Sequence, residues 1–105
     1  MNRGRIVVHI VWEFRVPPEQ RAEFERHYNR DGTWAEFFRR DPSYRGTTLL
    51  RDSKDAGRYL TIDDWDSLAA HDAFKQKHHD EYARLDRSFE KLTTEERSVG
   101  IFEST

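Results

Sequence analysis

The stretch that most limits the fold is "RIVVHIVWEFRV", Arg5 to Val16. β-Branched and aromatic residues dominate it and Pro17-Pro18 ends it, which predicts a strand. Its even positions, Ile6, Val8, Ile10, Trp12, Phe14 and Val16, are all apolar, while the odd ones run Val7, His9, Val11 and turn charged at Glu13. Alternate residues of a strand point to opposite faces, so the first half of this one is apolar on both. Such a strand calls for cover on both sides of its sheet.

The segments that follow supply one of those covers. "PPEQRAEFERHYNRDG" opens with proline where a first helical turn tolerates it and sets Phe24, His27 and Tyr28 on one face, predicting a helix that Gly32 closes. "TWAEFF" predicts one or two further turns, with Thr33 and Glu36 at capping-box spacing and Asp41-Pro42 as the stop. "YRGTTLLRD" and "GRYLTIDDW" read as strands joined by the hairpin loop "SKDAG". A helical region spans about Ser67 to Leu92, and "RSVGIFE" reads as a last strand. The order β-α-β-β-α-β is that of the ferredoxin-like fold, an α+β arrangement with a four-stranded antiparallel sheet and both helices on one face. No element is left for the second face of the first strand. A face-to-face homodimer is therefore expected, with whichever of Val7 or Ile10 turns away from the helices at the contact.

The 105 residues suffice for one domain, residues 1–105, without metal or disulfide staples. Hydrophobic residues supply only 35% of the chain, so seven Phe and three Trp must carry much of the core. The absence of cysteine excludes disulfides, thiolate catalysis and cysteine-ligated zinc or iron–sulfur sites. Basic and acidic residues, 18 against 20, are interleaved, which argues against a nucleic-acid groove. No apolar run is long enough to cross a bilayer and no cleavable signal is read at the N-terminus. A cytoplasmic protein with neither nucleic-acid nor membrane partners is expected.

Three of the five histidines fall in "WDSLAAHDAFKQKHHDEY". On one continuous helix His71, His78, Leu85 and Leu92 follow at intervals of seven and share a line with the apolar positions, so His71 and His78 face inward while His79 joins the charged side. Seven helical residues rise roughly 10 Å, too far for two histidines to share an ion. His78 and Glu81 lack further ligands in view, and no metal is expected. An imidazole titrating near neutrality in a pocket can move a proton, which makes His78 the first candidate for catalysis and His71 the second. Both also fit a structural role at the border of core and surface. Trp65, Trp34 and Phe38 are candidate walls for a flat ligand, with Trp65 equally readable as a core anchor. Asp63 and Asp64 are strand neighbours on opposite faces and make a poor acid–base pair. His9 reads as a hydrogen-bonded histidine at the sheet or dimer surface. No nucleophile elbow, P-loop, dinucleotide fingerprint or zincin motif occurs.

Three stretches, "VPPEQRAEFERHY" after the first strand, "RDG" at the end of the first helix and "YLTIDDWDSLAAHDAF" from the third strand into the histidine helix, carry a family likeness. With the order of elements over almost the whole chain, they resemble the antibiotic biosynthesis monooxygenase (ABM)-like domains of the dimeric α/β-barrel superfamily. The resemblance implies two sheets packed into a dimeric α/β barrel, with a cleft for a small apolar or aromatic ligand between sheet and helices. It also implies a cofactor-independent monooxygenase acting on a planar phenol- or quinol-like substrate, or else a non-catalytic dimeric ligand-binding module. In the first case His78 or His71 takes a substrate proton, Trp65, Trp34 and Phe38 stack on the ring, and no cofactor is needed. Haem-degrading relatives use an Asn on the first strand, a Trp on the third and a His on the next helix. Trp65 and His78 match the last two, but Val11 stands where the Asn belongs. A valine side chain has no hydrogen-bonding group, which argues against haem degradation.

Overall fold

The computed structural model describes residues 6–105. Along the chain run β1 (Val8–Arg15), a 3₁₀ turn (Pro18–Gln20), α1 (Arg21–Tyr28), α2 (Thr33–Phe38), β2 (Tyr44–Arg51), β3 (Arg58–Trp65), α3 (Leu68–Lys77), α4 (His79–Phe89), a second 3₁₀ turn (Glu90–Leu92) and β4 (Glu95–Glu103). The strands form one antiparallel sheet in the order β2-β3-β1-β4. This is the ferredoxin-like topology, and the helices lie on one face.

The alternation in β1 decides which face that is. Val8, Ile10, Trp12 and Phe14 stand opposite Trp65, Asp63, Thr61 and Tyr59 of β3, so these two sets share the helix side. Large rings fill the layer above them. Trp65, Tyr59 and Phe24 are essentially inaccessible, and Phe14, Trp34, Phe37, Phe38, Phe74 and Phe89 are buried around them. Tyr59 also donates a 2.5 Å hydrogen bond to Glu25, which ties β3 to α1.

The dimeric α/β barrel requires correction. The structure is a single open four-stranded sheet with β2 and β4 at its edges, not closed into a barrel. The expectation treated the second face of β1 as wholly greasy, and that face is mixed, with Val11, Leu60, Ile62, Leu50 and Phe102 set among charged and hydrogen-bonded groups. His9 binds Asp64 at 2.6 Å and Ser104 at 2.7 Å, Glu13 pairs with Arg58 at 2.8 Å and with Arg97, and Arg58 reaches Asp52 at 3.0 Å. Val11 is already buried within its own sheet, between Ile62 and Gly100 on the flanking strands. Of the two residues singled out for a contact between subunits, Ile10 turns toward the helices.

Two helical expectations also change. The region expected to be continuous from Ser67 to Leu92 breaks at His78, whose backbone (φ −110°, ψ 33°) leaves the helical range. Ser67 caps the start of α3, accepting from the Ala70 amide at 3.0 Å. The Thr33–Glu36 capping box does not form, because Gly32 takes the cap position and the Thr33 hydroxyl lies 2.7 Å from His27 Nδ1 instead.

Gly32 sits where the end of α1 and the start of α2 nearly touch. A Cβ there would lie 2.6 Å from the His27 carbonyl oxygen and 2.8 Å from that of Arg26, both backbone atoms with little room to yield. Gly32→Ala should therefore lower the unfolding free energy by about 1–3 kcal/mol, as overpacking does. Urea denaturation of the two proteins measures this, and an unchanged midpoint would contradict it.

Candidate functional site

Between the sheet and the helices the rings leave a cavity of about 210 Å³. An apolar cavity of roughly 150 Å³ holds a benzene molecule, so the space suits one substituted ring. Ile10, Trp12 and Phe14 of β1 with Thr61 and Asp63 of β3 form its floor. Tyr28, Trp34 and Phe38 make one wall, His71, Lys75 and Tyr82 another, and Asp86 of α4 and Glu96 of β4 also border it.

The sequence-derived candidates divide. His71, Trp34 and Phe38 line the cavity, whereas His78 and Trp65 are outside its lining. The His71 ring meets Trp65 edge-on at 5.4 Å, and its Nδ1 lies 3.0 Å from the Asp72 carboxylate. His78 packs its ring 4.5 Å from Phe74 and 6.0 Å from Phe37 at the junction of α3 and α4. Trp65 sits below the wall, in contact with Phe38, Tyr44 and Phe74. His79 projects into solvent beside Asp80. Val11, opposite in sense to Ile10 and Trp12, lies on the helix-free face away from the cavity. Among the described residues no group of three or more His, Asp or Glu side chains comes together as metal ligands would. No helix of the described residues is long and apolar enough to cross a membrane.

The residue missed in the sequence is Asp63. Its neighbour Asp64 points to the opposite face, and by strand alternation Asp63 shares its own face with Tyr59, Thr61 and Trp65. That signal was enough to put a lone carboxyl on an otherwise apolar floor. Thr47 of β2 donates to it at 2.6 Å, and the Tyr44 hydroxyl lies 2.5 Å from Thr47 Oγ1. Burial pushes the Asp63 carboxyl up to about 6; the Thr47 hydrogen bond opposes the shift and the charge of Asp64 adds to it. Burial likewise raises the Tyr82 hydroxyl to about 12. Glu96 is raised by burial and by repulsion from Asp86. The cavity therefore joins flat apolar walls to groups able to hold a proton near neutrality, which is what binding and deprotonating a small aromatic molecule requires.

The raised Asp63 carboxyl has a consequence for stability. Its folded value exceeds the unfolded one, so stability is highest below about pH 4 for this group, declines as pH rises through about 6, and is then level. Asp63→Asn, which mimics the neutral form, should match the parent at pH 4. Above pH 6 it should be more stable by up to about 3 kcal/mol. Denaturation curves at pH 4, 5, 6 and 8 test this, and a constant difference across them would refute it.

Comparisons with other proteins agree with this fold. SnoaB, a cofactor-independent oxygenase from Streptomyces nogalater, superposes with a TM-score of 0.66 at 24% identity, covering 93% of this chain and 92% of that one. A Bordetella bronchiseptica protein gives 0.67 at 18% identity over 94% and 95% of the two chains. A conserved protein from Methanosarcina mazei gives 0.66 at 10% identity over 94% and 91%. Identities this low speak to architecture. No curated protein matches the sequence. The family model described as antibiotic biosynthesis monooxygenase matches residues 7–84, from the start of β1 through the cavity wall on α3 and into α4. With its fold and most of its length accounted for in this way, the chain belongs to the antibiotic biosynthesis monooxygenase (ABM) family.

Proposed function

We propose that the protein is a cofactor-independent oxygenase acting on a small planar phenol or quinol held in the cavity between sheet and helices. The observation that carries this reading is the meeting of His71 and Asp63 with the ring walls of Trp34 and Phe38 in one space of single-ring size. The oxygenase activity of SnoaB, a structural neighbour, supports the reaction class.

The chemistry needs no group beyond substrate, O₂ and these side chains. His71 accepts the substrate's hydroxyl proton, leaving an electron-rich anion. That anion passes one electron to O₂, and the two radicals join to form a C–O bond at a ring carbon bearing hydrogen. The resulting peroxide takes back the proton held by His71 and loses water as the O–O and C–H bonds break, the Asp63 carboxylate standing near to carry the C–H proton to the leaving hydroxide. A phenol thus becomes a quinone, one oxygen atom entering the product and the other leaving as water. Trp34 and Phe38 hold the ring flat and exclude bulk water from the anion. In this reading His78 and Trp65 act from behind the wall, His78 by packing on Phe37 and Phe74 and Trp65 by supporting Phe38 and His71.

Oxygen uptake over a panel of phenols and quinols tests the assignment. His71→Ala should lower kcat about a hundredfold or more, the usual scale for a lost general base. His78→Ala should change kcat less than about tenfold once differences in folding are accounted for. Parent rates in His71→Ala would remove it from the reaction. Ligand binding without oxygen uptake by any panel member would favour a non-catalytic binding module built on the same cavity.

A further inference from the structure

Asp63 does not sit on the cavity floor unaided. Thr47 gives its hydroxyl hydrogen to Asp63 Oδ1 at 2.6 Å, and the Tyr44 hydroxyl lies 2.5 Å from the same Thr47 oxygen. A hydroxyl has one hydrogen, so a Thr47 that donates to the carboxylate must receive from Tyr44. The three side chains thus form one directed chain, Tyr44 to Thr47 to Asp63, that ends on the carboxyl. Among the described residues Asp63 Oδ2 has no hydrogen bond, which leaves that oxygen to the contents of the cavity.

Ordinary strand geometry does not build this chain. Positions 44 and 47 are three apart, and on a regular strand their side chains point to opposite faces. A bulge in β2 reconciles them. Tyr44 pairs with Trp65 and Gly46 with Asp64, so Arg45 is an extra residue with no counterpart on β3. The count shifts by one, and Tyr44 joins Thr47 on the helix side. Gly46 carries the distortion at φ +142°, which L side chains rarely adopt, although a Cβ there would meet nothing within 4 Å. The glycine is therefore needed for its backbone and not for room. Arg45 fastens the bulge from outside by an ion pair with Asp66 at 2.6 Å, and the Asp66 amide donates to the Ser43 carbonyl at 2.9 Å. Bulges of this kind re-aim side chains beside active sites.

We propose that Thr47 and Tyr44 are positioning residues for the reaction, keeping Asp63 ionised on its apolar floor and turning its free oxygen, Oδ2, toward the ring. The use made of the carboxylate rests on the oxygenase reading, in which it carries the C–H proton to the leaving hydroxide. The chain itself stands on the two hydrogen bonds and the bulge. A hydrogen bond to a carboxylate favours the charged form, so Thr47 works against burial here. Without that hydroxyl the carboxyl holds its proton to higher pH, and a protonated Asp63 has no room for the one leaving the ring carbon. Tyr44 acts at one remove, because its donation polarises the Thr47 hydroxyl and keeps it from turning away. Asp64 follows Asp63 on β3, and His71, Asp72 and Lys75 of α3 share the cavity with it. So do Tyr28 of α1, Tyr82 and Asp86 of α4 and Glu96 of β4. Among the described residues none of these hydrogen-bonds Asp63, so they act alike on the parent and on a variant at position 44 or 47.

The side-chain carboxyl carbon of Asp63, followed by ¹³C NMR under nitrogen from pH 4 to 9, reads its proton affinity without turnover. Thr47→Val keeps the shape of the side chain and removes the hydroxyl. It should raise the Asp63 midpoint by about one pH unit or more, a tenfold gain in proton affinity, the scale of one hydrogen bond to a charged group. Tyr44→Phe should raise it by a smaller step, and Thr47→Ser, which restores the hydroxyl, should return it close to the parent value. Oxygen uptake with the fastest phenol of the panel gives the second readout. The acidic limb of kcat/KM should move up with the midpoint, so that Thr47→Val loses about fivefold at pH 6 and regains the parent rate by pH 9. A packing defect lowers the rate at every pH alike. An Asp63 midpoint unmoved in Thr47→Val, a midpoint raised as much by Thr47→Ser, or a kcat/KM deficit constant from pH 6 to 9 would overturn the proposal. Shifted midpoints in a parent protein that consumes no oxygen would uphold the hold of Thr47 and Tyr44 on Asp63 and sink the oxygenase reading alone.

Discussion

The rest of the structure depends on the ring layer between sheet and helices. A chain with a modest aliphatic content has to bury area in large pieces, and each aromatic side chain brings 150–250 Å². Trp34 is the hub of that layer, touching Tyr28, Phe37, Phe38, Tyr82 and Phe89 at centroid distances of 5.1–6.4 Å. Through these contacts the short α2 holds α1 and both halves of α4 in place over the sheet. Most of the pairs are tilted or edge-on, the arrangements a ring quadrupole favours. Stiff plates set at such angles do not fill space as aliphatic chains do, and the gap they leave is the cavity.

A gap made this way is apolar by default, so its polar members need a reason to be there. Thr47 and Asp63 lie side by side on β2 and β3, and their hydrogen bond keeps the carboxyl from standing bare on the floor. Even so the carboxyl is held in a form costly to ionise. Folding alone would be served better by a valine at that position, which is the kind of local disagreement between stability and sequence that marks a working site.

Legibility in the sequence followed the range of the forces involved. Strand alternation and turn chemistry are local, and they gave β1, the β2–β3 hairpin and the final strand from the residues themselves. The layer order followed from them. The break at His78 was not legible, since "KQKHHDEY" contains neither Gly nor Pro; in the fold the His78 ring packs against Phe37 and Phe74 at that joint. Without that break the spacing of seven put His71 and His78 on one line, and with it only His71 reaches the cavity. Asp63 is legible by the same alternation that places Tyr59 and Trp65, although its burial depends on helices that pack over it from elsewhere in the chain. The barrel came from the family likeness, while the charges at Glu13, Arg58 and Arg97 already pointed to a face compatible with water.

The interruption at His78 has an evolutionary corollary. It divides one bank of the cleft into two short rods, α3 bearing His71 and Lys75, α4 bearing Tyr82 and Asp86. In a continuous helix, inserting or deleting a residue rotates everything downstream by about 100° and scrambles the whole bank at once. With a joint at residue 78, a length change there can be absorbed locally, so the rod bearing His71 and the rod bearing Tyr82 are free to diversify separately. A lineage built on this plan can change the lining that one rod contributes while keeping that of the other.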